Sequence, residues 1–272
     1  MRVCFLDNNI IPYSSQNINS NKIRGAENIL INLANEISKL GNDVTVFNNY
    51  PGNDIIDNVR WSNLSQTNKD IFYDVAITNN DMRLFDKVRS NKYFAFSHSI
   101  QSIEKFIRKK QLISYLKYKP KIVLLSDYHT QNRNFFLKIF GSFRLDWAVD
   151  DNFLDINLND NIIENIAIFT SRNDRNLDLL IDIWKNNIFP NNNHLKLLIT
   201  PSKLTDVHNG IYERNFSDKQ SLINDLLKSK VFLVPGHKGE LFCIAAEEAR
   251  ELCIPIVTLG KGALSERVEH EK

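Results

Sequence analysis

The sequence lacks the features that mark secreted, metal-stapled or membrane-spanning proteins. Its three cysteines, Cys4, Cys243 and Cys253, do not show the paired spacing of metal ligands. The odd cysteine count and a first segment without the apolar core of a signal peptide favour a reduced, cytoplasmic protein. No apolar run approaches the ~18 residues that a membrane span needs. We therefore expect a cytoplasmic protein without transmembrane segments.

Two motifs that define particular phosphate sites are also missing. The loop after the first predicted strand has no Gly-x-Gly-x-x-Gly, which disfavours dinucleotide binding. No Asp-x-Asp occurs anywhere, so the usual carboxylate pair for a metal-bound diphosphate is absent. The net charge is only +2 at pH 7, which argues against a general nucleic-acid coat.

What the sequence does contain is an alternation of short apolar strands and amphipathic helices. A strand at Arg2–Asp7, a helix opening at Gly25-Ala26-Glu27 and a strand at Val44–Phe47 have the spacing of a right-handed crossover. That crossover is the unit of a doubly wound parallel sheet. Further strands are predicted at 74–78, 92–96 and 122–125, and helical segments at 82–88 and 129–139.

A second series of strands and helices follows an Asp- and Asn-rich segment, Asp146–Asn165. Its predicted strands are 166–170, 195–199, 231–234 and 254–258, and its helices are 177–184, 219–227 and a third from Leu241 onward. We therefore predict an α/β protein with two Rossmann-like domains, residues 1–152 and 153–272, joined by the Asp- and Asn-rich linker. Two such sheets facing each other would leave a cleft for a bulky ligand at their carboxyl edges.

The most informative stretch is Val231–Pro255. The predicted strand ends at Pro235-Gly236, and a polar loop leads to Glu240 and to a helix with apolar residues three and four apart. A strand, a loop and a helix start in this order point backbone N–H groups and the positive end of the helix dipole at an anion. Glu248 lies eight residues after Glu240, so one carboxylate can reach a polar head group and the other a pair of ribose hydroxyls.

The block from Glu240-Leu-Phe-Cys-Ile to Glu248 resembles the donor-site motif of family 4 glycosyltransferases. That motif is Glu-x7-Glu with Phe and then Gly or Cys after the first Glu, followed by a Gly-Val-Pro-Val-Val strand. Here Cys253-Ile254-Pro255 replaces Gly-Val-Pro, and Gly262–Glu266 continues the likeness. The family consists of retaining enzymes with the GT-B fold that use sugar nucleotides. Because its members continue with another strand and further helices, the resemblance implies that the second domain is incomplete.

The resemblance assigns two arginines to the donor diphosphate. In the family, an Arg after the first strand of the second domain and a Lys near the next helix hold the diphosphate. In this sequence that strand is predicted at 166–170, and Arg172 and Arg175 occupy the corresponding places. Arg175 replaces the Lys in a shortened loop. Charge-assisted hydrogen bonds of ~1.5–3 kcal/mol each suit this task. An ordinary pair of arginines at a helix start is the alternative interpretation.

The remaining donor contacts follow from the same resemblance. Backbone N–H groups around Phe242, Cys243 and Ile244 would assist departure of the diphosphate. Glu240 would hold the sugar hydroxyls at the catalytic centre, and Glu248 would hold the ribose. No cofactor and no metal are implied.

Three residues of the first half have a predicted role. Gly25 and Ala26 resemble the Gly-Gly-Ala-Glu segment with which such enzymes bring backbone close to the donor phosphates; a plain helix start is the alternative. His98 follows a strand at the carboxyl edge, where these sheets place ligands. In the resembling enzymes a His at a comparable place lies near the transferred sugar, whereas a His that only caps a loop is the other interpretation.

A basic segment, residues 105–121, contains seven Lys or Arg interleaved with aromatic and aliphatic residues. Such a segment can rest on an anionic membrane surface, as in relatives that act on lipid-linked acceptors. A solvated basic face is the alternative, and no recognised motif supports nucleic-acid binding.

Together these features predict a metal-independent, retaining hexosyltransferase of polysaccharide biosynthesis that acts on a glycan or lipid-linked acceptor. Two alternatives remain at this point. One is a non-catalytic remnant that binds a sugar nucleotide or a glycan, and the other is a GT-B epimerase that acts on the sugar nucleotide.

Overall fold

The computed structural model describes residues 1–17, 25–154, 156–158, 162–202, 204–215 and 218–269. The chain divides into two compact units, Met1–Leu145 and Asp146–Lys272. This division lies inside the predicted linker, shortly before the predicted boundary after Asn152. Residues 155 and 159–161 of that linker are outside the described part. Each unit is built on a parallel sheet, which confirms the predicted α/β class.

The sheet of the first unit has seven strands among the described residues, in the order β3-β2-β1-β4-β5-β6-β7. The order runs outward in both directions from β1, as in a doubly wound fold, so its direction reverses between β1 and β4. The strands are β1 Arg2–Leu6, β2 Asp43–Ile56, β3 Val59–Asn63, β4 Phe72–Asn79, β5 Arg89–Phe96, β6 Lys121–Leu124 and β7 Ser142–Arg144.

Both faces of this sheet are buried, as a parallel sheet requires. Along β1, Cys4 and Leu6 belong to one apolar cluster and Val3 and Phe5 to the cluster on the other face. This alternation follows from the two-residue period of a strand. Full burial of a side chain such as Phe5 or Leu6 contributes roughly 2 kcal/mol, so β1 anchors the unit from both sides.

The described helices of the first unit are α1 Gly25–Lys39, α2 Ile103–Arg108, α3 Leu112–Tyr118 and α4 Asp127–Gln131. Helix α1 ends shortly before Gly41, which adopts a left-handed conformation with φ +81°. Its buried face contains Leu30, Ile31 and Ala34, whereas Leu40 is 80% exposed. Leu40 lies beyond the last turn of α1, so the helical period no longer directs it toward the sheet.

Several elements of the first unit differ from the sequence-based prediction. The predicted helix at 82–88 is a 3₁₀ turn, Met82–Lys87, and the predicted helix at 129–139 is divided between α4 and a second 3₁₀ turn, Phe135–Leu137. Asn134 starts that second turn by accepting a hydrogen bond from Phe136 N. Strands β3 and β7 were not predicted. β3 follows a tight turn in which Asp57 and Asn58 have φ of 54° and 61°, as a type I′ hairpin turn requires.

The second unit repeats the same plan with five strands among its described residues, in the order β10-β9-β8-β11-β12. Its strand order reverses between β8 and β11. The strands are β8 Ile166–Phe169, β9 Lys196–Ile199, β10 Ile211–Glu213, β11 Val231–Gly236 and β12 Ile256–Lys261, and the α-helices are α5 Leu177–Ile183, α6 Lys219–Lys228 and α7 Ile244–Glu251.

In the second unit, β11, β12 and α7 differ most from their predicted bounds. β11 continues through Pro235 and Gly236, which were expected to end it. β12 begins at Ile256 rather than at residue 254. Helix α7 begins at Ile244 rather than at Leu241, because Cys243 has a left-handed backbone with φ 66°. A residue in that conformation cannot continue a helix.

Helix α7 ends in a Schellman motif. Cys253 N donates to Arg250 O at 3.0 Å, and Ile254 N donates to Ala249 O at 2.9 Å. Cys253 has φ 56°, and it occupies the position that most often holds Gly in this motif. The motif therefore gives a physical reason why the resembling family has Gly where this chain has Cys253.

Candidate functional site

Two loops meet at the carboxyl edge of the second sheet, where its strand order reverses. One follows β8 and contains Arg172 and Arg175; the other follows β11 and contains Glu240. Arg175 Nε donates to Glu240 Oε2 at 2.8 Å, and the two side chains are only 15% and 14% exposed. In open α/β sheets this edge is where ligands bind. The structure thus joins two predicted site residues that lie far apart in the sequence.

Further contacts hold these two loops together. Asn176 Nδ2 donates to Gly236 O. Glu240 Oε1 accepts a hydrogen bond from Cys243 N at 3.1 Å, so the second carboxylate oxygen is attached to the backbone just before α7. Glu240 is therefore oriented from both sides, by a guanidinium and by a backbone N–H group. A carboxylate with both oxygens occupied in this way has little rotational freedom.

Gly262 supports the Glu240 loop from behind. It has φ +69°, and an added Cβ would lie 2.5 Å from His237 O and 2.6 Å from Glu240 O. Ala263 N donates to Glu240 O at 2.9 Å. Only Gly fits this close approach between backbones. The likeness of Gly262–Glu266 to the family motif thus corresponds to a supporting role for the Glu240 loop.

Arg172 lies on the exposed side of the same edge. Its Nε and Nη2 atoms donate to Asp174 Oδ1 and Oδ2 at 3.0 and 2.5 Å. Asp174 Oδ2 also lies 3.5 Å from Arg175 Nη1. Partial burial raises the pKa of Asp174, but the hydrogen bond from Arg172 and the charges of both arginines outweigh it and lower the pKa overall. Asp174 is thus ionised between the two arginines.

The start of α7 contributes backbone rather than side chains. The Phe242 ring is buried, with the Arg267 guanidinium 4.0 Å from its centroid and the Trp147 ring at 5.6 Å. Cys243 is also buried, and burial raises the pKa of its thiol to about 12. Ile244 is the first residue of α7. Phe242 and Cys243 have buried side chains, and Cys243 N already donates to Glu240 Oε1. Any ligand contact at this helix start would therefore come through the N–H groups of Phe242 and Ile244.

Glu248 is half-buried on α7, two turns after Glu240. Burial raises its pKa to about 7, and the charges of Lys219, Asp150 and Arg214 act on it as well. Lys219 Nζ and Asp150 Oδ2 form an ion pair. In the described part of the chain, the carboxyl group of Glu248 forms no hydrogen bond or ion pair. Its carboxyl group is therefore available to hydroxyl donors.

The carboxyl edge of the first sheet holds a different arrangement, centred on His98. Tyr13 Oη donates to Asp7 Oδ2 at 2.6 Å, and Asn79 Nδ2 donates to the same oxygen at 3.1 Å. Since the amide nitrogen of Asn79 faces Asp7, its Oδ1 accepts from His98 Nε2 at 2.6 Å. Burial lowers the pKa of His98 to about 4. His98 is thus a neutral imidazole with its proton on Nε2.

A small cavity of about 30 Å³, room for roughly one water, lies at the loop after β5 in the first unit. Its walls also come from α2 and from the residue that follows β4. The lining includes Asn80, Phe96, Ser97, Gln101, Lys105 and Lys109. The neighbours of His98 in the sequence, Ser97 and Ser99, line this cavity, but His98 itself does not.

Gly25 and Ala26 form the first turn of α1. Among the residues that the structure describes, an added Cβ on Gly25 would meet no atom within 4 Å. Glu27, the next residue, is buried and accepts from Asn9 Nδ2 at 2.5 Å. The predicted site residues are thus divided between the two units. His98, Gly25 and Ala26 lie in the first unit and the others in the second.

No known family model matches this sequence, and no curated protein matches it. Solved structures do match. Sucrose-phosphate synthase from Thermosynechococcus elongatus is similar with a TM-score of 0.65 and 10% identity, over 97% of this chain and 82% of that one. HepE of Anabaena, in complex with UDP-glucose, has a TM-score of 0.67 and 14% identity, over 99% of this chain and 83% of that one. The chain has the GT-B fold.

A third match has the same fold. WaaG, a glycosyltransferase involved in lipopolysaccharide biosynthesis, has a TM-score of 0.64 and 13% identity, over 97% of this chain and 82% of that one. The predicted GT-B fold is confirmed by these matches, and at such identities they show the fold alone. Among the described residues, no helix is both long and apolar enough to cross a bilayer.

Some contacts of this GT-B chain were missed by sequence reasoning. Asp174 and Asn176 stand inside the Arg172–Leu177 segment, yet their pairing with Arg172 and with the β11 loop could not be read from spacing. Asp7 and Asn79 give a weak signal, because each lies at the end of a predicted strand and hence at the carboxyl edge. Gly262 gave a signal only through its likeness to the family motif.

Proposed function

We propose that this protein is a glycosyltransferase that moves a sugar from a nucleoside-diphosphate sugar to a glycan or lipid-linked acceptor. The observation that carries the proposal is the contact between Arg175 and Glu240 at the edge of the second sheet of a GT-B fold. The match to HepE, a structure that contains UDP-glucose, supports a sugar nucleotide as donor. We further propose a retaining hexosyltransferase of the family 4 type, active in polysaccharide biosynthesis.

In this proposal the second unit binds the donor. The bond between the anomeric carbon and the diphosphate oxygen breaks, and a bond from the acceptor oxygen forms on the same face of the sugar. The proton of the acceptor hydroxyl passes to the departing diphosphate. Arg172, Arg175 and the N–H groups at the start of α7 stabilise the negative charge that develops on the diphosphate. Fixed donors aimed at developing charge are a large catalytic contribution. The arginines supply the positive charge, so we propose that no metal is needed.

Two carboxylates complete the donor site. Glu240 holds the sugar hydroxyls, because its position between Arg175 and the start of α7 is fixed by hydrogen bonds to both. Glu248 accepts hydrogen bonds from the ribose hydroxyls. Glu240 and Glu248 both act on Cys243, since the charge of each raises the pKa of its buried thiol. This shared neighbour is consistent with one extended ligand along the first turns of α7.

The first unit supplies the acceptor side in this proposal. His98 lines the place where the sugar acquires oxocarbenium character. As a neutral imidazole, it adds no charge that would repel a positive centre. Gly25 and Ala26 bring backbone close to the donor phosphates.

We also propose peripheral contact with the inner face of the cytoplasmic membrane through residues 105–121. Exposed apolar side chains accompany the seven cations of this segment, and an adjacent segment adds more. A hydrogen bond joins the two segments, because the buried Tyr115 Oη donates to Leu137 O at 2.8 Å. The exposed apolar residues are Ile107, Ile113 and Leu116 in the basic segment and Phe135, Phe136, Ile139 and Phe143 in the adjacent one.

Cosedimentation with vesicles tests this contact. Binding to vesicles with phosphatidylserine that weakens with salt, and that the Phe135→Ser/Phe136→Ser variant loses, is the expected result. No binding to either kind of vesicle would mean that segment 105–121 is a solvated basic face. Equal binding to neutral vesicles would mean that its cations do not recognise an anionic surface.

The catalytic proposal is tested with purified protein and a panel of nucleotide sugars. Thermal shift identifies the donor, because a bound ligand raises apparent stability. Hydrolysis or transfer is then measured with and without EDTA, and the anomeric configuration of the product is determined by NMR. Donor binding without turnover would support the non-catalytic alternative. An altered sugar nucleotide formed without acceptor would support the epimerase.

A further inference from the structure

The cations at the edge of the second sheet are already paired with carboxylates. Arg172 donates two hydrogen bonds to Asp174, and Arg175 donates one to Glu240. Asp174 also lies 3.5 Å from Arg175. Both arginines that the proposed function assigns to a diphosphate are therefore engaged by carboxylates. An arriving diphosphate meets ion pairs rather than bare guanidinium groups.

The two ion pairs differ in how easily they separate. The Arg175–Glu240 pair is 15% and 14% exposed, and Glu240 is also held by Cys243 N. In the Arg172–Asp174 pair the side chains are 70% and 59% exposed. An exposed ion pair is screened by water and contributes little to stability. Asp174 can therefore leave its partner by rotating into solvent, whereas Glu240 stays in place.

The geometry of the Arg172–Asp174 pair also resembles phosphate recognition. Two parallel N–H groups of Arg172 face two oxygens of Asp174, at 3.0 and 2.5 Å. Phosphate and carboxylate oxygens are recognised by the same guanidinium fork. Asp174 lies only two residues from Arg172, so it is present at high effective concentration in every molecule.

We infer that Asp174 is an internal competitor that occupies Arg172 in the free protein and is exchanged for diphosphate oxygens when the donor binds. This inference rests on the proposed function. Asp174 lowers the affinity of the site for diphosphates, and the site binds them without it. Removing its charge leaves Arg172 available and removes a negative group from the path of an anionic ligand.

The test measures binding of pyrophosphate and of UDP by titration calorimetry to the wild-type protein and to Asp174→Asn. Affinity for both probes is expected to rise about three- to fivefold, the range expected when one exposed ion pair no longer competes. Asp178→Asn is the matched control, because Asp178 is an exposed carboxylate on α5 four residues later. This control removes the same charge without touching Arg172 and should change affinity less than twofold.

A second comparison separates competition from general repulsion. In the Arg172→Ala background, Asp174→Asn should lose most of its effect, because the contested group is gone. The inference would be overturned if Asp174→Asn and Asp178→Asn raised the affinity equally. It would also be overturned if Asp174→Asn raised the affinity just as much in the Arg172→Ala background. If folded wild-type protein and all variants bind neither probe, the proposed function fails and this inference with it. Binding without a gain in Asp174→Asn overturns this inference alone.

Discussion

The two units share one topology but use its carboxyl edge in different ways. In the first unit, Tyr13, Asp7, Asn79 and His98 form a chain of hydrogen bonds from a buried carboxylate to a neutral ring. In the second unit, two arginines and two carboxylates form ion pairs on the loops after β8 and β11. The first edge fixes the direction of a single group, whereas the second presents charges that a ligand can take over. The same reversal of strand order therefore carries a hydrogen-bond network in one unit and a cluster of ion pairs in the other.

The largest expected effect is at the second edge. Glu240→Gln keeps the shape of the side chain but removes the charge that Arg175 meets in a part-buried place. We expect transfer to fall by roughly 100-fold, because an oriented group at the reacting centre is lost. The free energy of unfolding should fall by about 1–3 kcal/mol, because a charge in a part-buried place loses its partner. Donor turnover and urea unfolding measure the two effects.

The control for this prediction is Glu251→Gln, because Glu251 is an exposed carboxylate at the end of α7, away from the Glu240 loop. It should leave both turnover and stability near wild type. Wild-type turnover in Glu240→Gln would remove Glu240 from the site and leave the contact with Arg175 purely structural.

A smaller effect is expected at the first edge. Asp7→Asn places an amide opposite Asn79 and Tyr13, so Asn79 no longer has a fixed orientation and His98 loses its tautomer constraint. We expect kcat to fall by about tenfold with little change in KM for the donor. The pH–rate profile should shift if His98 changes its protonation or tautomer. The exposed Asp70→Asn serves as control, and an unchanged kcat in Asp7→Asn would show that the network only supports folding.

Glu248 should make the stability of the second unit depend on pH. Its pKa is about 7 in the folded protein and 4.5 when unperturbed, so the folded state binds its proton more tightly. The resulting stabilisation is complete below about pH 4.5 and is lost as the pH rises through about 7. Glu248→Gln should therefore be more stable than wild type at pH 8, by roughly 2 kcal/mol. Thermal unfolding from pH 4 to pH 8 checks this, and a gain independent of pH would contradict it.

The smallest effect concerns the end of α7. Cys253→Gly should raise the free energy of unfolding by about 0.5–1 kcal/mol, because Gly adopts the left-handed conformation of Cys253 without steric cost. Cys253→Ala is the control and should give no gain, since Ala has the same difficulty at φ 56°. Urea unfolding of the wild type, Cys253→Gly and Cys253→Ala measures the three free energies of unfolding. Equal stability of the Gly and Ala variants would show that the backbone conformation is not strained.

The parts predicted from sequence were those with a short-range signal. Apolar runs such as Val231–Val234 identified the central strands, and their alternation with helices identified two doubly wound sheets. Edge strands β7 and β10 were missed, because three residues are too few to show a period. The start of α7 was placed too early, because the left-handed conformation of Cys243 depends on the Glu240 loop and not on the residue type.

The candidate site shows the same limit. Arg172, Arg175 and Glu240 stood out because each lies in a recognisable motif. The partner of each arginine did not, since pairing depends on which loops the strand order brings together. Asp174 lies inside the arginine segment, and Asp7 lies far from Asn79 and His98 in the sequence, so neither contact has a spacing rule. Tertiary structure is needed to join them.

Gly262 has a consequence for redesign of this protein. Its missing side chain is what allows the 3₁₀ turn Gly262–Glu266 to lie against the carbonyls of His237 and Glu240. In directed evolution of the proposed donor site, substitutions would therefore be tolerated on one side of this loop and not on the other. The outward side chains of His237 and Lys238 are exposed and open to variation, whereas position 262 behind them accepts only a hydrogen atom.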